Sequence, residues 1–99
     1  MTPEDATIEE EIELLQRISS KDQMAMAELY DRFSKILFSI AARILRDEGK
    51  AQEVLQEVFI QIWDRAPAYN PRLGKPMTWA VVMTRNRSID ALRRQQRDT

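Results

Sequence analysis

Between residues 23 and 46, apolar side chains return at every third or fourth position: Met26, Leu29, Phe33, Ile36 or Leu37, Ile40 and Ile44. This spacing follows the ~3.6-residue turn of an α-helix. A helix with such a stripe needs other elements to cover it. The stripe is the longest in the chain, so it is expected to form the spine of the core. Tyr30 and Phe38 widen it and are read as packing residues. Nowhere do apolar and polar residues alternate with a period of two over the length of a strand. The expected fold is all-α, a compact helical bundle of about four helices in a single domain of 99 residues.

The other elements follow from spacing and punctuation. Residues 8–18 (IEEEIELLQRI) place Ile8, Ile12, Leu15 and Ile18 on one stripe, after a frayed start over residues 1–7. The glutamates lie early, where the helix dipole favours anions. Ser19, Ser20 and Asp22 break and recap the chain, opening the second helix over 22–46. Gly49 is expected to stop that helix. A third helix covers 51–66 and ends at Pro67. Residues 67–75 form a loop with turn chemistry in Asn70-Pro71 and Gly74. The fourth helix covers 76–97, with Pro76 suited to a first helical position because no N–H is needed there.

Composition removes several function classes. There is no cysteine, hence no disulfide or thiolate metal site, and no histidine, the commonest general base and metal ligand. Glu53 and Glu57, four apart, could share a metal, but histidine and any further convergent ligand are missing, so no catalytic residue, metal or cofactor is assigned. No apolar run approaches the ~20 residues of a membrane span, and the acidic start is unlike a secretory signal. No membrane insertion is expected, and a cytoplasmic location is the default. The net charge of −1 hides an asymmetry: residues 1–65 hold 8 basic and 14 acidic side chains, whereas residues 66–99 hold 7 and 2. Such a split suggests separate partners, one of them an anionic polymer, unless the two halves simply pair with each other.

Two helices carry the informative faces. On the third, Ala51, Val54, Leu55, Val58, Phe59 and Ile62 form the buried side. Opposite them lie Glu53, Gln56, Glu57, Ile60 and Asp64. An aliphatic residue within an acidic, amide-rich rim has the makeup of a docking surface, although single exposed isoleucines are also common. On the fourth helix, Met77, Val81, Ile89 and Leu92 fall on one side, with Val82 at its edge. Trp79, Met83, Asn86, Arg87, Asp90, Arg94 and Arg97 fall on the other. That second face suits phosphates, base edges and base faces; a solvated basic helix end with a core tryptophan fits the pattern too. Arg85 projects nearer the apolar side and is read as half of a structural ion pair with an acid of the second helix. Asn86 and Asp90, four apart, either contact a ligand or bond to each other.

The third helix, AQEVLQEVFIQIWDRA, resembles region 2.2 of bacterial sigma factors. The fourth, TWAVVMTRNRSIDALRRQQR, resembles regions 2.3 and 2.4 of the extracytoplasmic-function (ECF) group. The Tyr-Asn-Pro loop between them and the helix before them fit the same pattern, so the resemblance covers residues 22–97. It departs from the family at Gly49-Lys50, where an acid often opens the region 2.2 helix, and at Gln52, often an acid.

The resemblance implies a sigma region 2 domain that takes part in transcription initiation. Its region 2.2 face, here Glu53, Gln56, Glu57, Ile60 and Asp64, would bind the clamp coiled coil of the β′ subunit of core RNA polymerase. Its loop and fourth helix would bind promoter DNA, the non-template strand of the −10 element, and help to melt the duplex. The residues carried over are Asn70, Arg72, Lys75, Asn86, Arg87, Asp90, Arg93, Arg94 and Arg97, with Asn86 reading base edges and the arginines holding phosphates. Trp79 is largely a packing residue in this family. An ECF factor also carries a region 4 helix-turn-helix, so this chain is expected to be part of a longer protein. The alternative function is an interaction module held by an anti-sigma factor.

Overall fold

The computed structural model describes residues 2–98. The fold is all-α. Four helices, α1 (Pro3–Ser19), α2 (Gln23–Leu45), α3 (Glu48–Arg65) and α4 (Pro76–Arg97), are joined by short connections, with a single 3-10 turn at Ala66–Ala68 after α3. Among the described residues, no helix is long and apolar enough to cross a membrane.

The helix ends show why the chain turns where it does. α1 begins well before residue 8, because Thr2 and Asp5 form a reciprocal capping box: the Asp5 amide donates to Thr2 Oγ1 at 3.2 Å, and the Thr2 amide donates to Asp5 Oδ2 at 3.3 Å. Residues 2–7 are therefore ordered into the helix; Met1 lies outside the described residues. Asp22 caps α2 by accepting from the amides of Met24 and Ala25. The end of α2 differs from expectation. Arg46, at φ 54, takes the left-handed cap position, and Gly49 lies inside the first turn of α3. Asp47 caps α3 by accepting from the Lys50 amide at 3.0 Å. The acid that appeared to be missing from this helix start is thus present, but before Gly49-Lys50, so α3 starts at Glu48 rather than at residue 51.

The core is built on α2, whose buried row is Ala25, Leu29, Phe33, Leu37, Ala41 and Leu45. Of the expected stripe, Leu29, Phe33 and Leu37 are in this row; Met26, Ile40 and Ile44 are half-buried beside it and Ile36 is exposed, because the row advances by four residues from Ala25 and takes in Ala41 and Leu45. α1, α3 and α4 all pack against this helix. From α1 come Leu14, Leu15 and Ile18, and from α3 come Ala51, Val54, Leu55, Val58, Phe59 and Ile62. Tyr30 lies against Phe59, with ring centroids 4.8 Å apart. The α3 side read as apolar is the side that is buried.

α4 is rotated relative to its apolar residues. Its buried side is Pro76, Ala80, Met83, Thr84 and Ser88, while Val82 and Ile89 are exposed. Met83, placed outside by the wheel, is therefore core. The Thr84 hydroxyl donates back to the Ala80 carbonyl at 2.8 Å, so a buried polar residue is satisfied within its own helix. Small side chains here bring α4 close to its neighbours.

One acid lies in this core. Glu11 of α1 is 9% exposed. Burial raises its carboxyl above the usual 4.5; Arg32 of α2 opposes the rise and Glu10 adds to it. The folded state thus keeps a proton that the unfolded chain has already lost. Stability from this group falls as pH rises from about 4.5 through the folded value. Glu11→Gln is expected to raise the melting temperature at pH 7, and the gain should vanish below about pH 4, where both states are protonated. Thermal unfolding followed by circular dichroism at the two pH values checks this.

Candidate nucleic-acid interface

Residues 69–75 form a braced turn. The Asn70 carbonyl accepts from the Leu73 amide at 3.0 Å, and Asn70 Oδ1 accepts from the Arg72 amide at 2.9 Å. The Asn70 side chain therefore shapes the turn. The Tyr69 hydroxyl donates to the Gly74 carbonyl at 2.7 Å and closes the loop from inside. The Tyr69 ring rests on Trp79 of α4, with centroids 5.1 Å apart. Trp79 is half-buried and anchors the loop to the first turns of α4. Burial, and then the charge of Glu11, raise the Tyr69 hydroxyl above its ordinary value, which keeps it a donor. This bracing holds Arg72 and Leu73 outward, and Leu73 is 86% exposed. Lys75 is also exposed and reaches Glu4 of α1 at 3.7 Å.

Beyond the loop, Arg87, Arg93, Arg94 and Arg97 of α4 line a concavity of about 730 Å³ together with Asp90 and Glu57. Four guanidinium groups against two carboxylates make it basic. Asn86 is exposed on α4 and makes no hydrogen bond among the described residues, so its side-chain amide is free; the alternative bond to Asp90 does not form.

Arg87 differs from the other arginines. Its Nε donates to Gln61 Oε1 of α3, and its Nη1 donates to Glu57 Oε2 at 3.3 Å. The pair is partly exposed and ties α3 to α4. Glu57, expected on the outward acidic face, thus stands at the border between that face and the basic concavity. The remainder of the face is open: Glu53, Gln56 and Asp64 are exposed, and Ile60 is 62% exposed among them. Arg85 forms no ion pair among the described residues, contrary to the pairing expected with α2. It lies instead at a groove between α2 and α4.

Two residues escaped the sequence reading. Gln61 sits on the flank of α3, and nothing in its spacing announces a partner in α4. Leu73 could have been noticed as an aliphatic residue set between Arg72 and Gly74 in a polar turn. Among the described residues, no group of three carboxylates converges as a metal site.

Residues 29–98 match the family model Sigma-70 region 2. The chain belongs to the sigma-70 region 2 family. Similarity to individual proteins narrows this to the ECF group: the chain is 34% identical over 83 residues to the ECF RNA polymerase sigma factor SigK of Mycobacterium sp. (strain KMS), covering 84% of this chain and 43% of that protein. The SigK proteins of Mycolicibacterium vanbaalenii and Mycobacterium bovis (strain BCG / Pasteur 1173P2) are 31% and 32% identical, each over 84% of this chain and over 42% and 44% of their own lengths. The chain spans less than half the length of these curated relatives.

The Glu57–Arg87 pair is partly exposed, so its coupling should be small. A double-mutant cycle of Glu57→Ala and Arg87→Ala in urea is expected to give about 0.5–1 kcal/mol. Gln61→Ala should also destabilise, because it removes the second partner of Arg87.

Proposed function

We propose that this domain directs bacterial RNA polymerase to promoters, docking on core enzyme through the outer face of α3 and binding the −10 element with α4 and the loop before it. The polymerase contact is the clamp coiled coil of the β′ subunit, met by Glu53, Gln56, Ile60 and Asp64, with Glu57 at the edge. The nucleic-acid contact is the non-template strand. Arg93, Arg94 and Arg97 hold phosphates, joined by Arg72 and Lys75 from the loop. Asn86, with a donor and an acceptor on one amide, reads a base edge. Asp90 sets the local field among the arginines. Asn70 acts by shaping the loop, and Arg87 by fixing α4 against α3. The domain itself makes and breaks no bond.

The observation that carries this reading is the basic concavity on the C-terminal half of α4, with a braced, cation-bearing loop leading into the start of the same helix, in a chain of the sigma-70 region 2 family. Unstacking a base costs a few kcal/mol, and a pre-formed loop lowers the ordering cost of capturing one. The acidic face and the arginines adjoin: Glu57 pairs with Arg87, and Glu53 borders a shallow concavity together with Arg94.

Core RNA polymerase should be retained by the immobilised domain, and Glu53→Lys/Gln56→Lys should weaken retention by about tenfold or more, with circular dichroism unchanged. Glu57 is left intact because it also holds Arg87. Equal retention of parent and double variant would remove the α3 face from the docking surface.

For DNA, binding to a single strand carrying a −10-like sequence should fall with salt. Arg94→Ala should weaken binding evenly across sequences and reduce the salt slope by about 0.7. Asn86→Ala should instead change preference at one base, by about 1–3 kcal/mol. If both variants behave alike, the division between positioning and readout fails.

A second reading is favoured by Ile60, an exposed aliphatic within an acidic rim: the same α3 face is held by an anti-sigma factor. Tight binding of a protein partner without any binding of −10 DNA would support it over the first.

A further inference from the structure

α2 is apolar over a wider arc than its neighbours cover. Beside its buried row runs a second row, Ile36, Ile40 and Ile44, at every fourth position. Ile36 is 49% exposed. Across a groove of about 530 Å³, α4 contributes Ile89, itself 39% exposed. Two helices therefore present large aliphatic side chains to one trough that nothing in this domain fills. The trough runs over about two turns of α2, roughly 12 Å at 1.5 Å per residue, the length of a short helix.

Its rim has one sign. Lys35 and Arg43 of α2 and Arg85 of α4 line it, and no acid does. None of the three forms an ion pair among the described residues. In a chain with 16 acidic side chains, three cations around an apolar floor without one carboxylate form a local charge pattern in need of a complement. Phosphates alone would use the rim but gain nothing from four isoleucines. A helix with an aliphatic stripe and flanking carboxylates uses both.

We propose that the α2–α4 groove is a docking site for an acidic amphipathic helix of a protein partner. The partner's aliphatic residues lie on Ile36, Ile40, Ile44 and Ile89, and its carboxylates meet Lys35, Arg43 and Arg85. The site is separate from the α3 face and from the arginine concavity, so it stands whether or not the polymerase and DNA assignments hold.

The test uses the whole chain and a fluorescein-labelled helical peptide with leucines at i, i+3 and i+7 flanked by glutamates, read by anisotropy. A second peptide has every glutamate replaced by glutamine. The glutamate peptide should bind and the glutamine peptide should bind at least about tenfold more weakly, a change of about 1.4 kcal/mol in affinity. Ile36→Ser and Arg85→Glu should each cost a similar factor. Both positions are exposed, and circular dichroism should confirm folding. In NMR spectra, amide shifts on adding peptide should cluster at residues 35–44 and 85–89. Absence of binding, or binding indifferent to both substitutions, overturns the proposal. So does displacement of the peptide by single-stranded DNA with a DNA affinity that falls in Arg85→Glu but not in Ile36→Ser, because the groove would then be a nucleic-acid track.

Discussion

Every other helix of this domain is folded against one apolar row of α2. Leu29, Phe33 and Leu37 are fully buried, and burying such side chains contributes about 1.5–3 kcal/mol each before entropic costs. α1, α3 and α4 meet on that row, so the row sets where each of them lies. Ala25 and Ala41 belong to the same row and are as completely buried as the large residues.

The arrangement explains how a small domain displays two chemically different faces. α3 spends its large aliphatic residues on the core and leaves Glu53, Gln56, Ile60 and Asp64 outside. α4 makes a different compromise. It buries small and polar residues, Ala80, Thr84 and Ser88, and, apart from the half-buried Arg87, keeps its guanidinium groups in water. The Thr84 hydroxyl is satisfied within its own helix, whereas the Ser88 hydroxyl has no partner among the described residues. The bridge from Arg87 to Glu57 and Gln61 adds a weak, partly exposed tie between the two faces, whose relative angle is set by the buried rows. The loop before α4 is oriented by Tyr69 and Trp79, which together hold its backbone before any ligand arrives.

The sequence was most legible where a helix buries large aliphatic residues on one side. The inward side of α3 could be read residue by residue, and so could its polar opposite. α4 defeated the same method because its buried side is chemically mild. Weighting by hydrophobicity drew the inward direction toward Val82 and Ile89, which are exposed, and away from Met83, which is buried. Gly49 misled for a related reason. Glycine is the usual left-handed terminator, but Arg46 takes that conformation at the end of α2, and Asp47 immediately begins the next helix. A side chain that caps by a local hydrogen bond outweighs the conformational preference of a nearby glycine.

Sequence by itself determined the all-α class, the basic and acidic halves and, through the EVLQEVFIQIW and W-x(5)-RNRSIDALRR stretches, the family. These are properties of spacing and side-chain chemistry along one chain. Only the tertiary structure decided which arginine is engaged. Arg85 was expected to pair and is free, whereas Arg87 was expected on the open face and is held by α3. It also exposed the isoleucine trough, since whether Ile36 and Ile89 are covered depends on how far α2 and α4 are apart. The physical reason is the same in each case: an ion pair or a groove is set by distances between helices, and these follow from how the buried rows pack together.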